Sequence, residues 1–459
     1  MFHGETSTIA ALSTARGASA LAVVRVTGPD AIAVAQRCFS NPKLAVADTH
    51  TAHVGYVVDG EGRRLDQVVA TVFRAPRTAT GQDTVEFTCH GGDVAPQLVL
   101  RALLDAGAEP AEAGAFTRRA FLNGKLDLAQ AEAVAALIHA SSRAAGRVAL
   151  HQLDGRYSES LAALRAELLQ TAALVELELD FSEEDVAFAD MAQLRALLDR
   201  ADGLLTDLLD SARLGALVRE GVRVVIAGRP NAGKSTLLNA LVGRDRAIVS
   251  DVPGTTRDAI DAETEIGGLR FVFSDTAGLR ATDDAIEREG VRRARHAITG
   301  ADVLLYVFDA RLGLDDDERR ELATVQSERP QLPVLLVANK SDLLSDPAAA
   351  PDALTLSAVL ARRDERALEP LRVALLAAAD ADPSRLESSP VVVHERHRRH
   401  LEKSKAAVIR ARYALDHGAD GALLALDLRA ALDEIGAITG EVTRDDVLGA
   451  IFSHFCIGK

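Results

Sequence analysis

The segment GRPNAGKS at residues 228–235 constrains this chain most, because it matches the phosphate-binding pattern G-x-x-x-x-G-K-[ST]. It follows an apolar run at 222–227 that is typical of a buried strand, and it precedes a helical pattern. Gly228 and Gly233 would let backbone N–H groups curl around phosphate oxygens. The segment therefore predicts a nucleoside phosphate site at the end of a strand.

Two side chains of this loop and a second motif predict how the phosphates and a metal are held. Lys234 is expected to reach the β- and γ-phosphates, and Ser235 to ligate Mg²⁺. The motif DTAG at 275–278 also ends an apolar run. Asp275 is expected to hold Mg²⁺ through water, and the Gly278 N–H to face the γ-phosphate.

A third motif, NKSD at 339–342, predicts that the base is guanine. The carboxylate of Asp342 would accept two hydrogen bonds from guanine, which adenine cannot offer. Asn339 and Lys340 would frame the base, and Ser357 begins the loop expected to close over its edge. The residues predicted to contact GTP are Asn231, Ala232, Gly233, Lys234, Ser235, Thr236, Ser250, Thr255, Thr256, Asp275, Thr276, Ala277, Gly278, Asn339, Lys340, Asp342, Ser357 and Ala358.

The residue after DTAG is Leu279, and an aliphatic side chain cannot orient an attacking water. Another group must position the water and offset the developing negative charge. Asn231 is a candidate to hold a monovalent cation, and Thr256 in the sequence GTT to complete Mg²⁺ coordination. Glu287 is a candidate to orient water. The alternative for Glu287 is a solvated glutamate near the start of a helix.

The order of apolar patterns predicts an α/β and all-α multidomain protein. Residues 1–122 read as a small α+β domain, and 123–218 as helical, with apolar stripes that begin at Leu161 and Met191. Residues 219–383 alternate strands and helices, which indicates a mainly parallel sheet. Residues 384–459 return to helix, so we expect the α/β domain to be inserted in a helical domain.

Composition narrows the class of protein. The formal net charge is −15 over 459 residues, which argues against a generally basic nucleic-acid coat. The three cysteines, Cys38, Cys89 and Cys456, form no C-x-x-C pair. No signal-peptide pattern and no apolar run near the roughly 18 residues of a membrane span is found. We expect a cytosolic protein that does not enter a membrane.

Three segments outside the nucleotide motifs carry a resemblance to a known family. They are HGG at 90–92, GAFTRRAFLNGKLDLAQAEA at 114–133 and the ending IFSHFCIGK at 451–459. In these segments, and in the order of its parts, the chain resembles the MnmE family, also called TrmE, of tRNA-modifying GTPases. The resemblance implies an N-terminal domain that binds folate and dimerises, a helical domain, and an inserted P-loop GTPase domain.

The resemblance also implies ligands for the sites. K⁺ would contact Asn231, Ser250, Val252 and Thr255, and would take the place of an arginine finger, which is worth roughly 10³–10⁵ in rate. Mg²⁺ would contact Ser235 and Thr256. A 5-formyl- or methylene-tetrahydrofolate would contact Arg25, Glu86, Lys125 and Lys459. Glu287 and Cys456 would be catalytic.

The reaction that the resemblance implies is the addition of an aminomethyl or carboxymethylaminomethyl group to C5 of the tRNA wobble uridine. The homodimer would act with an FAD-containing partner, MnmG or GidA, as a heterotetramer or larger. Two alternatives remain open for these assignments: a GTPase switch in ribosome assembly, and a buried structural role for Cys456. The basic cluster HERHRRH at 394–400 either contacts tRNA phosphates or forms a solvated helix face.

Overall fold

The computed structural model describes residues 6–180, 191–243, 261–275, 299–344, 353–382, 384–388, 390–418, 421–442 and 445–458. Its contacts group the chain into two compact units. The first unit comprises Met1–His139, Ala149–Gly203 and Lys403–Lys459, and the second comprises Ala140–Val148 and Leu204–Glu402. The chain therefore passes between the two units four times.

The described residues form the following strands and helices. The strands are β1 Ile9–Leu12, β2 Leu21–Thr27, β3 Thr51–Val58, β4 Arg64–Phe73, β5 Thr84–His90, β6 Glu109–Pro110, β7 Val222–Ala227, β8 Asp261–Ile266, β9 Leu269–Asp275, β10 Val303–Asp309, β11 Val334–Asn339 and β12 Leu354–Thr355. The helices are α1 Ala31–Arg37, α2 Ala95–Asp105, α3 Ala115–Leu122, α4 Leu128–Ile138, α5 Arg143–Leu153, α6 Arg156–Asp180, α7 Met191–Glu220, α8 Lys234–Val242, α9 Asp316–Glu328, α10 Ala358–Ala361, α11 Glu369–Ala378, α12 Arg385–Ser388, α13 Glu395–Asp416, α14 Gly421–Thr439 and α15 Asp445–Phe452.

The first unit contains a sheet with the strand order β3-β4-β5-β2-β1-β6. Its neighbours pair antiparallel except β1 and β6, which pair parallel. Strand β2 shows why one face is a core: Ala22, Val24 and Val26 alternate along it and are buried. Arg25 lies between them and so points to the opposite face. Helices α1 and α2 contribute to the same core, through residues such as Ala35 and Leu103.

The described members of the two helical stripes expected from sequence are buried, except Met191. Along α6, Leu161, Leu164 and Leu168 are fully buried, as a stripe of three- and four-residue spacing requires. The stripe on α7 is buried from Leu194 onward. Met191 was expected to belong to it, and this was wrong: Met191 is the first residue of α7 and is 46% exposed.

The second unit contains a sheet with the strand order β12-β11-β10-β7-β9-β8. All neighbours are parallel except β8 and β9, which form an antiparallel hairpin around Gly267 and Gly268. Strand β8, with the sequence DAETEI, was not expected because it lacks a continuous apolar run. The predicted fold class, a mainly parallel α/β sheet with helical and α+β parts, is confirmed.

The parallel strands bring their carboxyl ends to one edge of the sheet. Register pairs Ala227 of β7 with Tyr306 of β10, and Asp309 of β10 with Asn339 of β11. On the other side, Asp275 of β9 pairs with Ile226 of β7. Ligands of open α/β sheets bind outside such carboxyl ends. The motifs found in the sequence therefore leave the sheet at a common edge.

Two further features bear on the expected organisation. The start of α5 belongs to the core of the second unit through Ala144 and Val148, although these residues were expected in the helical part. The four-part division of the chain stays a prediction. In the described ranges, none of the helices is both long enough and apolar enough to span a membrane.

Candidate functional site

The phosphate loop between β7 and α8 has a backbone that only glycine accommodates at two positions. Gly228 has φ +134°, and a Cβ there would lie 2.0 Å from the carbonyl oxygen of Val307. Gly233 has φ +95°, and a Cβ there would lie 2.2 Å from Nδ2 of Asn339. The loop is thus pressed against the neighbouring strand β10 and against the end of β11. Its shape leaves a cradle at the amino end of a nine-residue helix, where N–H groups favour an anion.

The side chains of this loop fall into an inward and an outward group. The Lys234 ammonium is buried and donates to the carbonyl oxygens of Gly228 and Arg229, each at 2.8 Å. Asn231 and Ser235 are exposed, and Thr236 is half-buried. Asn231 adopts φ +63°, in the left-handed region that asparagine tolerates better than most residues. The arrangement holds one cation inside the loop and offers amide and hydroxyl oxygens outside it.

Asn339 joins the phosphate loop to the predicted base loop. It is the last residue of β11 and is only 2% exposed. Its Nδ2 donates to the Ala232 carbonyl at 2.8 Å, and its Oδ1 accepts from the Ala358 N–H at 2.9 Å. Both halves of one amide are therefore used to connect two loops that are 126 positions apart in the chain, from 232 to 358. Ala232, Gly233, Asn339 and Ala358 are brought together as one group.

The remaining residues of the base motif surround this group. Lys340 follows in a left-handed conformation, and Asp342 lies exposed in a short 3₁₀ turn, Ser341–Leu343. The N–H of Ser341 donates to the Leu356 carbonyl at 3.1 Å, which ties the turn to the loop after β12. Ser357 is buried and its Oγ caps α10 by accepting from the Leu360 N–H.

Several predicted site residues lie outside the described residues. Asp275 is described at the level of its backbone, at the end of β9 beside β7. The predicted site residues that lie wholly outside the described ranges are Ser250, Val252, Thr255, Thr256, Thr276, Ala277, Gly278, Glu287 and Lys459. Their roles stay predictions.

A second candidate site lies on the face of the first unit's sheet that is opposite the core containing Val24 and Val26. Arg25 of β2 and Glu86 of β5 are register partners, and their side chains form an ion pair with N–O distances of 2.7 and 2.8 Å. The guanidinium of Arg25 lies 5.5 Å from the ring centre of Phe116, within cation–π range. Lys125 instead donates to the Pro76 carbonyl at 3.0 Å. The structure thus joins Arg25 and Glu86 directly, and places Lys125 on a different partner.

The carboxyl-terminal tail is docked on the first unit by its backbone. Gly114 donates to the Cys456 carbonyl at 3.3 Å, and Ala113 bridges with Ile457. Gly458 has φ +94°, and a Cβ there would lie 2.3 Å from the Leu12 carbonyl oxygen. The tail therefore lies against the end of β1, whose neighbour β2 carries Arg25.

Cys456 differs from the two other cysteines in its surroundings. Its side chain is exposed, with Sγ 3.9 Å from Nε2 of His139. Cys38 and Cys89 are buried, and burial raises the pKa of their thiols to about 12 and about 11, respectively. The structural alternative of a buried small residue thus describes Cys38 and Cys89 but not Cys456. His139 and Phe116 were not singled out from the sequence, because neither belongs to a spacing pattern that marks a site.

The basic cluster at 394–400 pairs internally. Glu395 accepts from Arg398 and Arg399, and these hydrogen bonds lower its pKa to about 2. Arg398 also contacts Glu402, and the side chain of His397 is buried. Glu395 and Glu402 thus offset part of the positive charge of Arg398 and Arg399. This pairing favours the interpretation of the segment as a helix face over a phosphate-binding patch.

Comparisons with known proteins assign relatives to the whole chain. The family model described as MnmE helical domain matches residues 128–456, and the one described as GTP-binding protein TrmE N-terminus matches residues 8–125. A relative from Salinibacter ruber named tRNA modification GTPase MnmE is 56% identical and covers 99% of this chain and 100% of its own. A relative of the same name from Christiangramia forsetii is 42% identical, with coverage of 98% and 99%.

A solved structure of Era in complex with MgGDPNP and a segment of 16S ribosomal RNA is also similar, at 25% identity. It covers 33% of this chain and 56% of that chain, with a TM-score of 0.26. A score this low supports no structural argument.

Substitution of Gly228 by alanine tests whether the loop depends on its contact with β10. The added methyl would meet the Val307 carbonyl, and the left-handed backbone would be strained, so we expect affinity for GDP to fall roughly tenfold or more. The matched control is Gly203→Ala within α7, where a Cβ meets nothing within 4 Å. Titration with a fluorescent GDP analogue measures both. Equal affinity of Gly228→Ala and wild type would contradict the described loop.

Proposed function

The chain belongs to the MnmE family of tRNA modification GTPases, and from this premise we propose that it hydrolyses GTP with K⁺ dependence while modifying tRNA. The observation that carries the nucleotide part is the double hydrogen bond of Asn339, which assembles the phosphate loop and the base loop into one site. The observation that carries the tRNA part is the match to full-length relatives of that name.

The residues at the sheet edge fit a nucleotide with its metal. The missing side chains of Gly228 and Gly233 let the loop pack against Val307 and Asn339. Backbone N–H groups of a glycine-rich loop of this kind bind phosphate oxygens. Lys234 would exchange its two carbonyl contacts for the β- and γ-phosphates. The exposed Ser235 hydroxyl, at the start of α8, is an oxygen ligand of the kind that Mg²⁺ takes, and Mg²⁺ neutralises charge on these phosphates when bound.

The exposed amide of Asn231 supports the potassium part of the proposal. Asn231 is exposed, so its side-chain oxygen would be available to a monovalent cation, which would offset charge that develops on the phosphates. Ser250, Val252 and Thr255 would complete this site, Thr256 the magnesium site, and Glu287 would orient water. These five residues lie outside the described ranges.

The ion pair of Arg25 and Glu86 supports a tetrahydrofolate site on the first unit. A guanidinium matches the carboxylates of a folate glutamate tail, and a carboxylate matches the pterin amino group and ring N–H. Because these two side chains already pair with each other, a folate would have to share or replace that contact. Lys125 and Lys459 would contribute further cations. The docked tail would deliver the Cys456 thiol to the reacting one-carbon adduct or uridine.

The proposed reaction uses these two sites and an FAD-containing partner of the MnmG type. The one-carbon unit of 5-formyl- or methylene-tetrahydrofolate would supply the methylene carbon attached to C5 of the wobble uridine. Ammonium or glycine would supply the amine that completes the aminomethyl or carboxymethylaminomethyl group, respectively. Residues 1–122 would bind folate and form the homodimer, 219–383 would hydrolyse GTP, and 123–218 with 384–459 would form the helical domain. Full-length similarity to tRNA-modifying relatives favours this function over a ribosome-assembly switch.

Mass spectrometry of tRNA nucleosides tests the proposal in cells that lack the gene. We expect the 5-substituted wobble uridines to disappear and a plasmid copy to restore them. Ribosomal subunit profiles should stay normal in the same cells. Persistence of the modified uridines together with abnormal subunit profiles would favour the ribosome-assembly alternative instead.

The same cells test Cys456. A Cys456→Ser plasmid should leave the modification at a small fraction of the wild-type level, because a serine hydroxyl is a far weaker nucleophile than a thiol. Immunoblotting controls for the amount of protein, since the exposed Cys456 is expected to add little to stability. Full modification by Cys456→Ser would rule out a nucleophilic or acid–base role.

Steady-state GTP hydrolysis tests the cation. Replacing K⁺ by Na⁺ at constant ionic strength should lower the rate by on the order of 10²-fold, because a site sized for K⁺ does not hold the smaller Na⁺ and one charge-stabilising group is lost. Asn231→Ala in K⁺ should fall to the rate that wild type shows in Na⁺, and Glu287→Ala should also lose hydrolysis while retaining GTP affinity. Equal wild-type rates in K⁺ and Na⁺ would exclude the potassium role.

A further inference from the structure

A buried carboxylate that the proposed function leaves unused lies beside the base motif. Asp309 is the last residue of β10 and is 7% exposed. Its register partner on the neighbouring parallel strand is Asn339, the residue that connects the phosphate and base loops. The backbone N–H of Ala310 also donates to the Asn339 carbonyl at 2.8 Å. Asp309 therefore leaves the sheet directly next to the residues expected to contact guanine.

The Asp309 carboxylate is surrounded by donors from two cationic side chains. Lys340 donates from Nζ to Oδ2 at 2.9 Å. Arg311 donates to Oδ2 at 2.7 Å and to Oδ1 at 3.0 Å, and its backbone N–H reaches Oδ1 at 3.0 Å. The hydrogen bonds from Arg311 and then from Lys340 hold the pKa of Asp309 well below its usual range. The carboxylate is thus charged and fully engaged.

Lys340 is held at a point where the backbone is strained. Its φ of +68° lies in the left-handed region, which is unfavourable for a residue other than glycine. The chain needs this conformation to turn from β11 into the Ser341–Leu343 turn, which carries Asp342. The contact with Asp309 fixes the far end of the Lys340 side chain, so both ends of the residue are constrained.

We propose that Asp309 is a positioning residue for base recognition, which acts by holding Lys340 beside the guanine site. The inference rests on the proposed nucleotide site. Stability alone gives a weak reason for such a group, because a buried ion pair is often replaced by apolar residues without loss of stability. The Arg311 side chain is 47% exposed and is the outer partner of Asp309, whereas the Lys340 side chain is 27% exposed and belongs to the base motif itself.

A double-mutant cycle on the full chain tests this inference. The variants are Asp309→Asn, Lys340→Met and the double variant, with dissociation constants for a fluorescent GDP analogue in Mg²⁺ as the readout. We expect Asp309→Asn to weaken binding roughly tenfold, the scale of one lost charge-assisted hydrogen bond. In the Lys340→Met background the same substitution should change affinity less than about twofold, because its route of action is gone.

Two controls separate positioning from general damage. Asp316→Asn removes the same charge from a side chain of the same unit that is 92% exposed, and it should bind GDP like wild type. Inorganic pyrophosphate has no base. Its dissociation constant, measured by competition with the GDP analogue, should be the same for Asp309→Asn and wild type. If Asp309→Asn does not fold, Asp309→Glu enters the cycle instead, because it keeps the charge and displaces it by one methylene.

The outcomes distinguish the inference from the proposed site. The positioning role would be overturned by additive effects of the Asp309 and Lys340 substitutions, or by unchanged GDP affinity in Asp309→Asn. It would also be overturned if Asp309→Asn lost as much affinity for pyrophosphate as for GDP. Failure of wild type to bind GDP, or tight GDP binding by Lys340→Met, would instead overturn the nucleotide site as proposed. Non-additive coupling with unchanged pyrophosphate competition supports the inference.

Discussion

The second unit depends on one buried amide. Asn339 stands where β11 ends, and its two polar atoms connect the carbonyl of Ala232 with the N–H of Ala358. A buried amide with either partner removed would leave an unsatisfied polar group, which costs about 1–3 kcal/mol. The position of the phosphate loop, the absence of a side chain at Gly233 and the turn at Lys340 are all arranged around this residue. Asn339 thus connects the phosphate loop with the start of α10 at the carboxyl edge of the sheet.

Sequence reasoning reached the parts of the fold that a simple pattern encodes. The glycines of the phosphate loop and the strands of the parallel sheet were predicted because continuous apolar runs and fixed motif spacing mark them. Strand β8 escaped because its alternating polar residues do not mark a buried parallel strand. Asp309 was not predicted as a site residue, because its place beside Asn339 depends on the register of β10 with β11, which no local sequence pattern shows. Met191 was misplaced because a stripe gives no warning of where a helix begins.

In the first unit, strand register and the carboxyl-terminal tail bring together candidate functional residues that are far apart in the sequence. Arg25 and Glu86 face each other across antiparallel strands, so their pairing follows from register and alternation alone. The tail reaches the same sheet through Gly458, whose lack of a side chain permits contact with Leu12. An exposed thiol near His139 is thereby fixed at the surface by backbone contacts. The resemblance suggested Arg25, Glu86 and Cys456, while the structure supplies the physical reason for their arrangement.

We infer that Asn339 connects two loops into one guanine-nucleotide site. Calorimetric titration with GDP and Mg²⁺ measures this directly. The comparison is between wild type and Asn339→Asp, which keeps the acceptor for Ala358 but places a carboxylate oxygen against the Ala232 carbonyl. We expect Asn339→Asp to lose affinity for GDP by roughly tenfold or more, with the thermal unfolding of the first unit unchanged. Wild-type affinity in Asn339→Asp would contradict the claim.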